Sequence, residues 1–314
     1  MFDPAQLRAL SAVLRTGSFD AAAGELGVTP SAVSQRIKAL EERAGAVLVV
    51  RAAPCRPTAA GRRLARLADE MQILAEGAAR DLGLADPGGP PRVAIAVNAD
   101  SLATWVLPAL AEVPGLLFDI VVDDQDHSAD LLRAGAVSAA VTGHPGPVQG
   151  CDSLHLGALR YLATASPAFM AAHLQQGATG EGLAAAPCLT FNAKDRLQAA
   201  WLERTFGRRI AHPSHMLPSS TGFVEAALLG LGWGMNPEPL VRAHLAAGRL
   251  VELRPGAPLD VDLYWQVGRM MAGPLAPLTR AVRRAAAGVL VAARRPAEGP
   301  GRRLDALMRR RPRP

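Results

Sequence analysis

The sequence predicts an α/β protein with a helical N-terminal unit, one long helix and a larger region of alternating strands and helices. Residues 18–51 contain two short helical patterns joined by a glycine turn. Residues 59–82 carry one uninterrupted helical pattern. From residue 92 onward, short apolar runs alternate with helical patterns, which is the arrangement typical of an α/β sandwich.

The N-terminal unit begins with three predicted helices. The first has Asp3 as its N-cap, and the second spans Phe19–Leu26. The third opens with Thr29 as N-cap and Pro30 at the first helical position, where a missing N–H has no cost. A turn at Gly27 separates the second and third helices. This spacing predicts a helix-turn-helix.

The third helix has two different faces. Val33, Ile37 and Leu40 share one side, which we expect to pack against the second helix. Short hydroxyls, an amide and cations occupy the rest, and such groups hydrogen-bond base edges and phosphates in a major groove. The residues that we expect to contact DNA are Ser31, Ser34, Gln35, Arg36 and Lys38. The alternative is an ordinary solvated helix face.

A wing is predicted after the third helix. Val47–Val50 is a β-branched run and Ala52–Pro57 contains two prolines, so the pattern indicates a strand, a turn and a second strand. Arg51 and Arg56 are expected beside the minor groove or the phosphate backbone. The alternative is that both arginines are exposed without a role in binding.

A long helix is predicted from about Ala59 to Leu82, with Thr58 as its cap. Its apolar residues follow the spacing of coiled-coil a and d positions. These residues are Ala60, Leu64, Leu67, Met71, Leu74 and Ala78. The narrow seam predicts a partner helix and therefore a dimer, whereas the alternative is a helix buried within its own domain. The prolines and glycines of Asp86–Pro91 end the helix and indicate a domain boundary.

The region after this boundary alternates between the two kinds of element. The predicted strands are Arg92–Val97, Leu117–Val122, Ala139–Thr142, Tyr161–Ala165, Leu189–Phe191 and Leu259–Val267. The predicted helices are Leu102–Glu112, Ser128–Ala134, one from Pro167, Asp195–Phe206, Ser220–Leu229, Glu238–Ala247 and Pro277–Ala292.

The chain resembles the LysR-type transcriptional regulators. The residues that carry the resemblance are Phe19, Ala21, Ala22, Leu26, Ser31–Ser34, Ile37, Leu40, Glu41, Leu48, Arg51 and Thr58–Gly61, and it extends to about Val291. The resemblance implies a winged helix-turn-helix over residues 1–58, a dimerising linker helix over 59–86 and an effector-binding domain over 87–292. That domain is expected to resemble periplasmic binding proteins, with two lobes and crossings near residues 160 and 267. The Arg-rich tail, residues 293–314, departs from the family outline and is expected to be disordered.

The charge is unevenly distributed. Residues 1–66 contain ten basic and five acidic residues, whereas residues 67–292 carry a net charge of −5. A basic head and an acidic middle are typical of a DNA-binding domain joined to a sensor of cationic ligands. No apolar run is long enough for a membrane span, no signal peptide is present, and three widely spaced cysteines indicate a cytoplasmic protein.

The sequence contains no catalytic or metal-binding signature. It lacks HExxH, G-x-S-x-G, a P-loop and any C-x-x-C pair. We therefore expect no enzyme activity, no metal and no cofactor.

Three stretches at predicted strand ends indicate a ligand site, because open α/β sheets bind ligands at the carboxyl ends of their strands. The first is Asn98–Ser101, where N–H groups at a helix start and the Ser101 hydroxyl suit a carboxylate. The second is the acidic loop Asp123–His127, which would attract a cation. The third is Asn192–Asp195 in the second lobe. The alternatives are that Ser101 only caps its helix and that the acidic loop is simply solvated.

These stretches also resemble one branch of the family, the regulators of basic-amino-acid export that sense lysine or arginine. The similar segments are VNADSLATWVLPAL, DDQDHSADLLRAG, FNAKDRLQ and PSSTGFVEAALLGLGWGMNPE. We expect Ser101 to bind the effector's carboxylate and Asp124, with Asp195 as a second candidate, to bind its cationic groups. The complete set of expected effector contacts is Asn98, Asp100, Ser101, Asp124, Asp126, Thr142, Asn192, Asp195 and Trp233. For Trp233, a place in the core is the stronger alternative.

The sequence thus predicts a cytoplasmic regulator that binds double-stranded operator DNA as a dimer or tetramer. Its expected effector is lysine or arginine. Its expected target is an amino-acid exporter gene, and RNA polymerase is a further candidate partner. One alternative is a regulator of the same type that senses another small metabolite. A second is an architectural DNA-binding protein, which the basic tail favours. The third is an enzyme with Asp124 or Asp195 as a base, which the missing nucleophile–base arrangement disfavours.

Overall fold

The computed structural model describes residues 2–82, 90–123 and 128–292. Most of the predicted boundary loop and the whole Arg-rich tail, residues 293–314, lie outside the described residues. Asp124 and Asp126, two of the predicted effector contacts, lie outside them as well.

The N-terminal unit contains the three predicted helices. They are α1 Pro4–Thr16, α2 Phe19–Leu26 and α3 Pro30–Ala44. Asp3 Oδ1 accepts from the Ala5 N–H at 2.7 Å, and Thr29 Oγ1 accepts from the Ala32 N–H at 3.2 Å. The predicted start signals of α1 and α3 are confirmed, because both side chains satisfy N–H groups that have no partner inside the helix.

The wing is shorter than predicted. β1 Val49–Val50 pairs antiparallel with β2 Arg56–Pro57. The strand begins at Val49 rather than Val47 because the Leu48 and Val49 N–H groups donate to Glu41 Oε1 at 2.8 and 3.3 Å. Leu48 is thereby buried in the core of the N-terminal unit.

The linker helix α4 spans Ala59–Asp81, and Thr58 caps it. Leu64 and Leu67 are half-buried against the N-terminal core, and Ile73 is buried in the core of the following domain. The seam residues that are exposed are Ala60, Met71, Leu74 and Ala78. The helix therefore buries one face within its own chain and leaves most of the predicted seam on the surface.

The following domain contains nine strands among its described residues. They are β3 Arg92–Val97, β4 Leu117–Val122, β5 Ala139–Thr142, β6 Cys151–Ala165, β7 Cys188–Thr190, β8 Ser214–Met216, β9 Gly234–Pro237, β10 Val251–Glu252 and β11 Leu259–Gly268. Seven form one sheet in the order β10-β6-β11-β5-β3-β4, with β9 also paired to β6. β7 and β8 form a separate parallel pair.

Helices cover these sheets. They are α5 Ala99–Ser101, continued by a π-helical turn Leu102–Val106, then α6 Leu107–Ala111, α7 Ser128–Arg133, α8 Pro167–His173, α9 Gly180–Ala185, α10 Leu197–Phe206, α11 Ser220–Leu228, α12 Glu238–Ala246, α13 Arg269–Ala272 and α14 Ala276–Val289. The last helix closes the first lobe, since Arg284 Nε donates to Glu112 at 3.2 Å beside α6. Within the described ranges, no helix has the length and apolar character needed to cross a bilayer.

Two long strands, β6 and β11, run through both lobes and pair antiparallel with each other. Tyr264–Val267 of β11 pair with β5 in the first lobe, whereas Tyr161–Thr164 of β6 pair with β9 in the second. The sequence placed the second crossing near residue 267. Those residues already belong to the first lobe, so β11 changes lobes upstream, near the register shift between Leu263 and Tyr264.

Candidate functional site

A cleft of about 520 Å³ lies between the two lobes. The first lobe lines it with the residues that follow β3 and end β4. The second lobe contributes the segment between β7 and α10 and the first residues of α10 and α11. Residues of β6, β9 and β11 complete the lining, so the cleft lies at strand ends, as open α/β sheets lead us to expect.

Asp100 is the carboxylate that the first lobe places in this cleft. It lies in the first turn after β3, and the Tyr161 hydroxyl donates to its Oδ2 at 2.7 Å. Burial raises the pKa of Asp100, because the ionised form loses its water. The hydroxyls of Ser220 and Tyr161 oppose this rise in pKa, and the Asp195 carboxylate adds to it. A cation placed beside the Asp100 carboxylate would therefore stabilise its ionised form.

Tyr161 is tied to the same carboxylate from β6. It is fully buried, and the pKa of its hydroxyl lies well above the usual value because of burial, with the Asp100 carboxylate as the next cause. The hydroxyl therefore stays a neutral donor. It fixes the position of the Asp100 side chain in the cleft.

Asp195 fixes the opposite wall of the cleft. Its Oδ2 accepts from the Phe191 N–H and its Oδ1 from the Leu197 N–H, both at 2.9 Å. Asn192 Oδ1 accepts from the Lys194 N–H at 2.8 Å in the same segment. These bonds hold a turn ahead of α10, which is why α10 begins at Leu197 rather than at Asp195 as predicted.

The described charges in the cleft do not cancel. Three carboxylates line it, those of Asp100, Asp123 and Asp195, against the two cations Lys194 and Arg196. One negative charge remains when all five groups are ionised. Apolar side chains such as Phe223 complete the wall, so an organic ligand that carries net positive charge is complementary to this site.

The second candidate site is the exposed face of α3. Ser31, Gln35 and Lys38 are exposed and Ser34 and Arg36 are half-buried. The residues on the opposite face, which are fully buried, are Val33, Ile37 and Leu40.

The wing adds two exposed arginines, Arg51 and Arg56. The Arg51 guanidinium lies over the Phe19 ring, 5.2 Å from its centroid. Exposure fits a role of both arginines in DNA contact, which stays a prediction.

Two family models match the chain and together cover most of its length. Residues 4–62 match the model of the bacterial regulatory helix-turn-helix protein, lysR family, and residues 88–290 match the LysR substrate binding domain. The chain belongs to the LysR family. It is a DNA-binding transcriptional regulator rather than an enzyme, and the predicted fold is confirmed.

Relatives within the LysR family cover nearly the whole chain. The transcriptional regulator LysG of Mycobacterium tuberculosis is 47% identical over 287 residues, which are 91% of this chain and 94% of LysG. The crystal structure of ArgP from Mycobacterium tuberculosis superposes with a TM-score of 0.77 at 46% identity, covering 93% of this chain and 100% of ArgP. Full-length LysG from Corynebacterium glutamicum with bound effector Arg has a TM-score of 0.64 at 39% identity, covering 92% and 99%.

The LysR-family cleft contains only part of the predicted effector set. Asn98, Asp100, Asn192 and Asp195 line it.

Ser101 does not line the described cleft. It is the third residue of a helix that begins at Ala99, and its side chain is fully buried. Thr142 is also fully buried, and its hydroxyl accepts from Gln266 Nε2 at 3.1 Å. Trp233 is fully buried in the core, which was the stronger of the two alternatives, and its ring lies 5.6 Å from that of Trp201.

Several residues of the cleft were not predicted as site residues. The described ones that matter most are Tyr161, Arg196, Gln198 and Ser220, together with Lys194, which lies in the predicted stretch Asn192–Asp195 but was not itself expected to contact the effector. Ser220 carried a detectable signal, because it follows Ser219 at a predicted helix start. Gln198 and Tyr161 lie inside a helix and a strand, where polar residues are ordinarily taken as solvated, and no local pattern distinguishes them.

Proposed function

We propose that this LysR-family regulator binds a basic amino acid, lysine or arginine, in the cleft between its lobes and changes its DNA contacts in response. The observation that carries the proposal is the excess of carboxylates over cations in a partly apolar cleft. Lysine and arginine carry two cationic groups and one carboxylate, so their net charge of +1 complements it. The structure of a 39% identical LysG with bound effector Arg supports the same ligand class.

Charged residues from both lobes take part in the proposed recognition of the effector. Asp100 and Asp123 provide negative charge from the first lobe, and Lys194 and Arg196 provide positive charge from the second. An effector bound to both lobes would stabilise a closed arrangement by the difference in its affinity for the two states. Ligand binding and operator binding are then coupled through the position of the lobes.

Titration calorimetry of the full-length protein with lysine, arginine and leucine tests the ligand class. We expect lysine or arginine to bind and leucine, which lacks the side-chain cation, to bind poorly. Binding of a different metabolite class with no response to either basic amino acid would favour the alternative regulator. No ligand response at all, together with sequence-independent DNA binding, would favour the architectural protein.

Effector affinity is expected to fall at acidic pH. The pKa of Asp100 is raised in the free protein, and a bound cation favours the ionised carboxylate and lowers that pKa. Below the free-protein pKa, binding must release a proton, so affinity rises with pH through that pKa and is constant above it. The slope is at most about tenfold per pH unit.

Calorimetry in two buffers of different ionisation enthalpy measures the released proton. The groups that face Asp100 are Tyr161 on β6, Ser220 on α11 and Asp195 before α10. Asp100→Asn should remove the pH dependence. An unchanged pH profile in that variant would assign the titration to another group.

We further propose that the regulator acts as a homodimer, or as a dimer of dimers, on double-stranded operator DNA in the cytoplasm. The exposed seam residues Met71 and Leu74, 38% and 39% exposed, support a partner helix along α4. A basic-amino-acid exporter gene is the proposed target, and RNA polymerase is a candidate partner. Sedimentation that gave the mass of a single chain would contradict the dimer.

Gln35→Ala and Lys38→Ala are expected to impair operator binding in different ways. Loss of the Gln35 amide should cost about 1–3 kcal/mol at its preferred base and relax specificity there. Lys38 is exposed, and its ammonium lies 3.9 Å from Glu42. If it contacts a phosphate, its loss should reduce the slope of log binding constant against log salt concentration by about 1. Operator titrations at several salt concentrations measure both effects, with exposed Gln175→Ala as the control. Wild-type behaviour of both variants would contradict this assignment.

A further inference from the structure

Gln198 is a buried polar side chain of the effector cleft that no local sequence pattern predicts. It is the second residue of α10, it lines the cleft, and only 2% of it is exposed. Neither its Oε1 nor its Nε2 has a hydrogen-bond partner among the residues that the structure describes. A buried amide that has no partner within the protein is rare in folded proteins, and such a group calls for a functional explanation.

The surroundings of Gln198 favour an anionic ligand group. Lys194 and Arg196 line the cleft immediately before α10. Arg196 is the residue directly before the first turn of α10. The N-terminus of a helix carries partial positive charge and attracts carboxylates. Asp195, the acidic residue of this turn, already uses both carboxylate oxygens to accept from backbone N–H groups.

We propose that Gln198 binds the α-amino-acid end of the effector, with its Nε2 donating to the α-carboxylate. Its Oε1 can accept from the α-ammonium on the same carbon, so one amide matches the donor and the acceptor of an amino acid. This inference rests on the proposed function and specifies which residue selects an amino acid over a simple cationic amine. It also moves the carboxylate site from Ser101, which is buried outside the described lining, to the second lobe.

The first lobe offers the complementary group. Asn98 is 7% exposed, lines the same cleft, and its Oδ1 has no hydrogen-bond partner among the described residues. An amide oxygen is only an acceptor, so together with Asp100 it suits the effector's cationic side chain. The effector would therefore connect α10 to the turn after β3.

Gln198→Met tests the assignment, because methionine has a similar shape and no amide. If the amide serves the ligand, its removal should leave the melting temperature of the free protein unchanged or raise it. The stabilisation by arginine should shrink at the same time. Exposed Gln175→Met is the matched control and should change neither quantity. A clear drop in the melting temperature of ligand-free Gln198→Met would show a structural role and overturn the proposal.

Agmatine, which is arginine without its carboxylate, isolates the contact. Calorimetry gives the affinity of wild type and of Gln198→Met for both ligands. If Gln198 contacts the carboxylate directly, the free-energy effects of removing the amide and of removing the carboxylate do not add. We expect arginine to lose at least about tenfold in affinity, which is ~1.4 kcal/mol, and agmatine to lose much less. Equal losses, or no loss for arginine, overturn the role of Gln198 while the proposed function stands. If wild type binds neither arginine nor lysine, the proposed function itself fails.

Discussion

Asp100→Asn is expected to weaken the binding of lysine or arginine by at least about a hundredfold. Removing one partner of a buried ion pair leaves the other charge without compensation, which costs ~3–5 kcal/mol. About 1.4 kcal/mol corresponds to a factor of ten in affinity. Asparagine keeps an oxygen that can accept from the Tyr161 hydroxyl, so the local hydrogen bond, 2.7 Å in this structure, survives the change. The loss should therefore come from charge and not from misfolding.

Calorimetry with arginine and leucine measures the effect, and Asp152→Asn is the matched control. Asp152 is exposed and pairs with Arg269 on the surface, so its substitution should leave arginine affinity unchanged. Because coupling is reciprocal, Asp100→Asn should also reduce the effect of arginine on operator affinity. Arginine affinity equal to that of wild type would show that other groups recognise the cation.

Gly61→Ala is expected to damage the N-terminal unit. Gly61 lies in the first turn of α4, and an added Cβ would be 2.0 Å from the Leu48 carbonyl oxygen and 2.9 Å from its carbon. The same carbonyl accepts from the Thr58 N–H at 3.0 Å, so it cannot withdraw without loss of this bond. Overpacking of this kind costs ~1–3 kcal/mol. Displacement of α4 from the wing strand should also weaken operator binding.

Gly77→Ala on the same helix is the control. A Cβ at Gly77 would have nothing within 4 Å in the described part of the chain. Alanine is a better helix former than glycine by ~1 kcal/mol, so this variant should be as stable as wild type or more stable. Thermal unfolding of both variants, with operator titration, gives the comparison. Equal melting temperatures for the two variants would show that the wing moves aside without cost.

Local sequence was sufficient for the three helices of the N-terminal unit. Caps such as Asp3 and Thr29 act within three residues of themselves, so a window of the chain contains both the donor and the acceptor. The carboxyl ends of β3 and β4, which border the cleft, were also predictable, because each strand is a short local apolar run. The stretches around Asp100 and Asp195 were expected at strand ends, and both line the cleft.

The strand β6 shows where local pattern failed. Only Tyr161–Ala165 was predicted, although the strand begins at Cys151. Its first half carries exposed polar residues, since that part pairs with β11 and has one solvated face. The pairing partner is more than a hundred residues away, and no apolar run in the sequence marks it.

The sequence by itself determined the family architecture, the polar face of α3 and the acidic character of the effector cleft, because each depends on residues close together in the chain. Only the tertiary structure decided which polar residues share the cleft. Tyr161 contacts Asp100 across 61 residues of sequence, and Trp233 packs in the core beside Trp201. Long-range pairing of β6 and β11 brings the two lobes together. Burial is therefore a property of the folded chain alone, and with it the raised pKa of Asp100 and the unpartnered amide of Gln198 among the described residues.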